Sequence, residues 1–80
     1  MKIGVKVMPK NEVLDTQGRA VEQTLKFHHR AVEHCRVGKY VQLEIDENNE
    51  SKALAKAKEI AEFVLYNPLI ENYELEVIKR

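Results

Sequence analysis

Ile3, Val5 and Val7 alternate with Lys2, Gly4 and Lys6, a period of two that predicts a half-buried strand. Pro9, which has no N–H for a ladder, closes the strand near Met8. Asp15 then offers a carboxylate N-cap to a helix whose apolar stripe is Val21, Leu25, His28 and Val32, flanked by Ala20, Thr24, Phe27 and Ala31. That stripe is expected to face a core. From Cys35 onward, Val37, Val41, Leu43 and Ile45 share one face while Arg36, Gln42, Glu44 and Asp46 share the other, and only Lys39 breaks the parity. The alternation survives across Gly38, which predicts either one long strand bent there or a tight hairpin of two short ones. After the polar turn Asp46-Glu47-Asn48-Asn49, the residues Ala53, Leu54, Ala57, Ile60, Ala61, Val64 and Leu65 mark the apolar face of the strongest helix in the chain. Asn67-Pro68 ends it, because a residue before proline is pushed out of the α region, and the alternation of Tyr73, Leu75 and Val77 predicts a final strand.

Helices separated by strands too few for a doubly wound sheet predict an α+β sandwich: two helices on one face of a small, largely antiparallel sheet, related to the ferredoxin-like class, with a long second strand bent near Gly38. One domain is expected to span residues 1–80. Such a sheet leaves open edges, and so short a chain hides a small share of its surface, so pairing into a homodimer or higher oligomer is expected.

Composition narrows the classes. Thirteen basic residues balance thirteen acidic ones, which argues against the basic stripe of a nucleic-acid binder. No segment approaches the roughly 18 uninterrupted apolar residues of a membrane span. Cys35 is the only cysteine, so no disulfide framework exists, and a lone thiol without a secretory signal fits a reducing, cytoplasmic location.

His28, His29, His34 and Cys35 are the only cluster of soft ligands. Adjacent histidines on a helix diverge by roughly 100°, so His28 and His29 cannot converge on one zinc ion. His34 and Cys35, as neighbours on a strand, would point to opposite faces, which disfavours a nucleophile–base pair and leaves Cys35 as a small buried hydrophobe. Asp46, Glu47 and Glu50 precede a helix, where negative charge offsets the helix dipole. No phosphate loop, hydrolase triad or metal-spaced cysteine pair is present, and the strands lack the aromatic platform of an RNA-recognition module. The chain is therefore expected to carry no catalytic, cofactor or metal site of its own.

Three segments exceed what secondary structure requires: Val13-Leu14-Asp15-Thr16-Gln17-Gly18, Arg36-Val37-Gly38-Lys39-Tyr40 and Asn67-Pro68-Leu69-Ile70-Glu71-Asn72-Tyr73-Glu74-Leu75-Glu76-Val77. Their order, spacing and chain length resemble the PurS family, the small subunits of phosphoribosylformylglycinamidine synthase. Thr16 stands where that family usually has proline, and Phe27-His28-His29-Arg30 replaces the glycine that commonly ends its first helix. The resemblance implies a non-catalytic subunit in purine biosynthesis that associates with further copies and joins a PurL-type synthetase to a PurQ-type glutaminase. ATP, Mg and glutamine are then used by those partners. Arg36 and Lys39 are candidates for charge-assisted contacts to partner carboxylates, Tyr40 for an amphipathic contact, and Gly38, Asp15, Gln17 and Asn67 for shaping or lining the same surface. A small-molecule-sensing regulatory module is the alternative that this architecture allows.

Overall fold

The computed structural model describes residues 1–30 and 32–78. Across them run β1 (Lys2–Pro9), α1 (Thr16–Phe27), β2 (Lys39–Glu44), α2 (Glu50–Ile60), which passes into a π-helical turn (Ala61–Leu65), and β3 (Glu71–Ile78). The expected α+β class holds: among the described residues two helices accompany a three-stranded antiparallel sheet of order β2-β1-β3.

β1 is the central strand, pairing Lys2 with Glu44 on one side and Ile78 on the other, and Val7 with Lys39 and Tyr73. Its alternation places Ile3, Val5 and Val7 inward, all fully buried. Onto this face α2 and the π turn lay Ala53, Ala57 and Ala61, which recur every four residues and so form one stripe. Methyl side chains let the helix approach the strand closely, Ile3 packing with Ala53 and Ala57, and Val5 and Val7 with Ala61. Leu43, Leu75 and Val77 close the flanks. Each fully buried Ile or Val contributes about 1.5–3 kcal/mol, so this layer dominates the stability of the fold.

Periodicity also assigns Ile60 and Val64 to the inner face. The π turn, wider than an α turn, rotates that register, leaving Ala61 and Leu65 inward and Val64 64 % exposed. Leu65 is joined by Tyr66 and Tyr73, whose rings lie 4.7 Å apart. Tyr73 donates to Glu62 Oε2 at 2.7 Å, and burial together with that bond pushes its phenol up to about 12.

α1 departs further from expectation, for it makes no extensive contact with the sheet or α2. Val21 and Val32 of its expected core stripe are 41 and 47 % exposed, and the flanking Phe27 is 80 % exposed. The helix stops at Phe27, so Val32 is no longer on it, and Ala31 lies outside the described residues. Termination is achieved without glycine. His29 adopts a left-handed φ of 60°, the Arg30 N–H donates to the Leu25 carbonyl at 2.8 Å, and the His29 N–H donates to the Lys26 carbonyl at 3.1 Å. This is a Schellman closure, made at a conformational cost of roughly 1–2 kcal/mol for a side chain in the left-handed region.

The second strand is also shorter than the pattern predicts. Neither a long strand bent at Gly38 nor a hairpin from Cys35 forms, and β2 begins only at Lys39. The Val37 N–H is taken by the Asp15 carboxylate at 2.7 Å instead of a strand neighbour, and the ladder with β1 ends at the Val7–Lys39 pair. On the sheet face away from α2, the Tyr40 hydroxyl crosses β1 to donate to Glu76 Oε2 at 2.6 Å, and Lys6 Nζ lies 3.0 Å from Glu76 Oε1. The Tyr40 bond first, and Lys6 second, hold the Glu76 carboxyl below its ordinary value, while the same contact raises the Tyr40 phenol.

Candidate docking site at the end of the central strand

The three segments singled out in the sequence meet where β1 ends. Gly38 lies against Val7 and Met8, Arg36 reaches Asn11 just beyond the strand, and the Lys10 N–H donates to the Ile70 carbonyl at 2.8 Å in the Asn67 turn. Pro9 pairs with Glu71 and Met8 with Asn72, so the third segment continues along the edge of β1. Neighbours in space are thus drawn from opposite ends of the sequence.

Asp15 is the joint. Its Oδ1 accepts from the Gly18 N–H at 2.9 Å, capping α1, and its Oδ2 accepts from the Val37 N–H at 2.7 Å, fastening the start of that helix to the segment entering β2. The Gly18 bond, then the Val37 bond, hold this carboxyl below its ordinary value, with the charges of Arg36 and His34 adding to the effect. Gly38 is required for a different reason than a special backbone angle, since none of the glycines has a positive φ. A Cβ there would collide with the Val7 carbonyl and the Met8 sulfur, so its bare Cα permits the close approach of two chain segments.

Arg36 and Lys39 are not presented alike. Arg36 is half-buried, its Nη1 donating to Asn11 Oδ1 at 2.6 Å, whereas Lys39 is exposed on the last rung of the ladder. Tyr40 is about half exposed, with its hydroxyl engaged by Glu76. Gln17 is exposed on the first turn of α1, beside the joint. Asn67 builds its turn: Oδ1 accepts from the Leu69 N–H at 3.0 Å and its own N–H donates to Glu71 Oε1 at 2.7 Å. In this hydrogen-bonded loop Leu69 is 82 % exposed.

Beside Asp15 opens a cavity of about 310 Å³, lined among others by Asn11, Leu14, Arg19, Cys35, His34 and Arg36. Cys35, expected to be a buried hydrophobe, is only half-buried and forms part of this wall. His28, His29 and His34 are exposed, and no group of three or more His, Cys, Asp or Glu among the described residues could hold a metal ion. Asn11, the partner of Arg36, lies outside the three segments and carries no motif that sequence reasoning could have used, whereas Leu14 on the cavity rim belongs to the first of them. Glu76 sits on the polar face that strand parity assigns, but its meeting with Tyr40 and Lys6 depends on the register of two ladders.

Polar side chains here fasten loops, cap a helix and join segments, and apolar residues stand exposed beside them, so this is a small α+β chain with apolar surface left uncovered. Residues 2–79 match the family model PurS, described as phosphoribosylformylglycinamidine (FGAM) synthase. The chain belongs to the PurS family, whose members are subunits of that synthase. It is 38 % identical over 77 residues to the PurS subunit of Bacillus subtilis (strain 168), covering 95 % of this chain and 90 % of the relative. The crystal structure of Methanocaldococcus jannaschii PurS superimposes with a TM-score of 0.86 at 30 % identity, covering 99 % of this chain and 96 % of that one. A chain in the structure of PurLQS from Thermotoga maritima does so with a TM-score of 0.86 at 32 % identity, covering 94 and 93 %.

Proposed function

We propose that this chain is a non-catalytic bridging subunit of phosphoribosylformylglycinamidine synthase in de novo purine biosynthesis, acting in the cytoplasm. It joins a PurL-type synthetase to a PurQ-type glutaminase and associates with further copies of itself. ATP, Mg and glutamine are used by the partner subunits. One observation carries this reading: the chain matches, over nearly its whole length, a chain in the structure of PurLQS from Thermotoga maritima. The absence of any helix long and apolar enough to cross a membrane among the described residues is consistent with it.

The physical purpose of such a bridge is containment. Ammonia released into water is protonated and diluted, whereas fixed neighbouring sites raise its effective concentration at the synthetase. The surface at the end of β1, with Arg36, Lys39 and Tyr40 set around Gly38, is the face offered to the partners. Two measurements test this. Pull-down from the native source should recover synthetase and glutaminase chains together, and recovery of neither, with glutamine and nucleotide present, would end the bridging reading. In the reconstituted complex, Arg36→Ala combined with Lys39→Ala should lower glutamine-dependent synthesis more than ammonia-dependent synthesis; equal losses would assign these residues to the integrity of the synthetase instead.

A further inference from the structure

Two uncovered parts of the molecule are complementary. Of the 12 residues of α1 only Gly18 is buried. Ala20, Thr24 and Phe27, at i, i+4 and i+7, share one exposed face flanked by Val21. The Thr24 hydroxyl already donates to the Ala20 carbonyl at 3.0 Å, so this face can be covered without stranding that donor. On the sheet, α2 packs on β1 and β3 but not extensively on β2. Glu62 bonds to Tyr73 of β3, and Ile60 and Val64 occupy the opposite flank, toward β2. The inner face of β2, with Val41 and Leu43 half-buried, is thus left without a helix over it, and a cavity of about 350 Å³ opens there beside Ile45 and Ile60. Topology keeps the chain's own α1 away. β1 ends at Pro9 and β2 begins at Lys39, opposite Val7, so α1 and the segment returning from it start and finish at the same end of the sheet. A strand of 8 residues, about 26 Å, followed by a helix of 12, about 18 Å, accounts for the 47 Å long axis, so α1 projects beyond the sheet. The radius of gyration is 15.7 Å where about 12 Å is expected of a compact chain of this length, and the surface is 6391 Å² where a folded chain of this mass exposes about 5,000 Å². That surplus exceeds the roughly 800 Å² which each partner contributes to a standard interface.

We propose that two copies exchange helices: about a two-fold axis, α1 of each lies against the inner face of β2 of the other, and Phe27 enters the cavity between Ile45 and Ile60. The inference rests on the reading that copies of this chain associate, and it names the surfaces they use. A second copy is the occupant because every chain carries both an uncovered helix and an uncovered strand, so one two-fold contact covers all four surfaces. A larger subunit would have to supply a ridge and a separate groove. The lengths agree, about 18 Å for α1 and about 20 Å for the 6 residues of β2. Charge agrees as well. Phe27 is flanked by Lys26, His28, His29 and Arg30, with Glu22 and Glu33 the nearest acids in the sequence. The cavity rim carries Glu44, Asp46 and Glu59 against Lys56, which already lies 3.4 Å from Glu47. Lys39, on the same side of β2 as Val41, stands at the far end of the strand from this rim.

Sedimentation of the full chain over a concentration series tests this, with Phe27→Asp and Val64→Asp as variants. Both side chains are exposed in the single chain, and circular dichroism checks that the variants still fold. The wild-type chain should form a two-copy species. Phe27→Asp should weaken that species by roughly a hundredfold or more, because the anchor is lost twice in each pair, and Val64→Asp by about tenfold. An equimolar mixture of the two variants should associate more strongly than either alone, because one of its two contacts joins an intact α1 to an intact groove. A wild-type chain that stays single at every concentration, variants that pair like the wild type, or a mixture no stronger than its components would each overturn the proposal. Loss of pairing in Phe27→Asp with none in Val64→Asp would place α1 against another surface and overturn it as well. Wild-type pairing by both variants, together with lost capture of the purified synthetase or glutaminase subunit, would assign the helix and the groove to a larger partner instead. The bridging reading fails separately, when the wild-type chain pairs with itself but captures neither larger subunit.

Discussion

α1 and α2 are nearly equal in length, 12 and 11 residues, yet they are attached to the sheet by opposite means. α2, with the π turn, lies along β1 through Ala53, Ala57 and Ala61, many weak apolar contacts spread over the whole helix. α1 is fastened at one end by a carboxylate that bonds Gly18 and Val37, and makes no extensive contact with the sheet. Apolar packing is indifferent to pH and hides the surface it uses. A polar joint concentrates its strength in two bonds, responds to protonation, and leaves the flanks of the helix for another chain. The first kind of attachment secures the fold; the second keeps Val21 and Phe27 outside it.

Gly38→Val strikes the point where the two regions touch and should have the largest effect. The added side chain meets the Val7 carbonyl and the Met8 sulfur, and destabilisation of about 3 kcal/mol is expected in urea denaturation. Amide protection should fall in β1 and α1 together; a wild-type midpoint would remove the close-approach argument. Asp15→Ala should separate the regions instead. Exchange of the α1 amides should accelerate about tenfold, as for loss of an N-cap, with β1 amides unchanged. Equal acceleration in both would show that the regions unfold as one unit. The wild-type chain should display the same selective loss in acid. Because the Asp15 carboxyl sits below its ordinary value, its contribution is complete at neutral pH and disappears as the pH falls through that lowered value. Glu76 titrates in the same direction on the sheet, so the α1 amides are the informative ones. His29→Gly should have the smallest and opposite effect, a gain of about 1 kcal/mol confined to the last turn of α1, visible as slower exchange there with little change in the melting of the sheet.

What the sequence made legible follows the same division. Strand alternation in Ile3, Val5 and Val7, the alanine stripe and the Asn67-Pro68 stop are local signals, and each maps onto an observed element. The placement of Val64 was not legible, because a π turn adds its extra residue without a composition mark. Nor was the late start of β2. Parity runs unbroken through Val37, but the competing acceptor for its N–H comes from Asp15, far away in the chain. The same holds for the site. Asp15 reads plainly as a cap, yet its second bond, the Arg36–Asn11 contact and the orientation of α1 depend on tertiary neighbours. His29 took the left-handed position that glycine usually fills, so the expected marker of the helix end was missing although the closure itself was made.

The order β2-β1-β3 places the first strand of the chain in the middle of the sheet, with Lys2 opposite Ile78. Nearly the entire chain must be traversed before that pairing can close, so the sheet belongs to the class of topologies that fold slowly for their size. During synthesis Ile3, Val5 and Val7 emerge early and remain uncovered until α2 and then β3 have left the ribosome. The segment that forms the centre of the finished molecule is thus the one most exposed to misassociation on the way there.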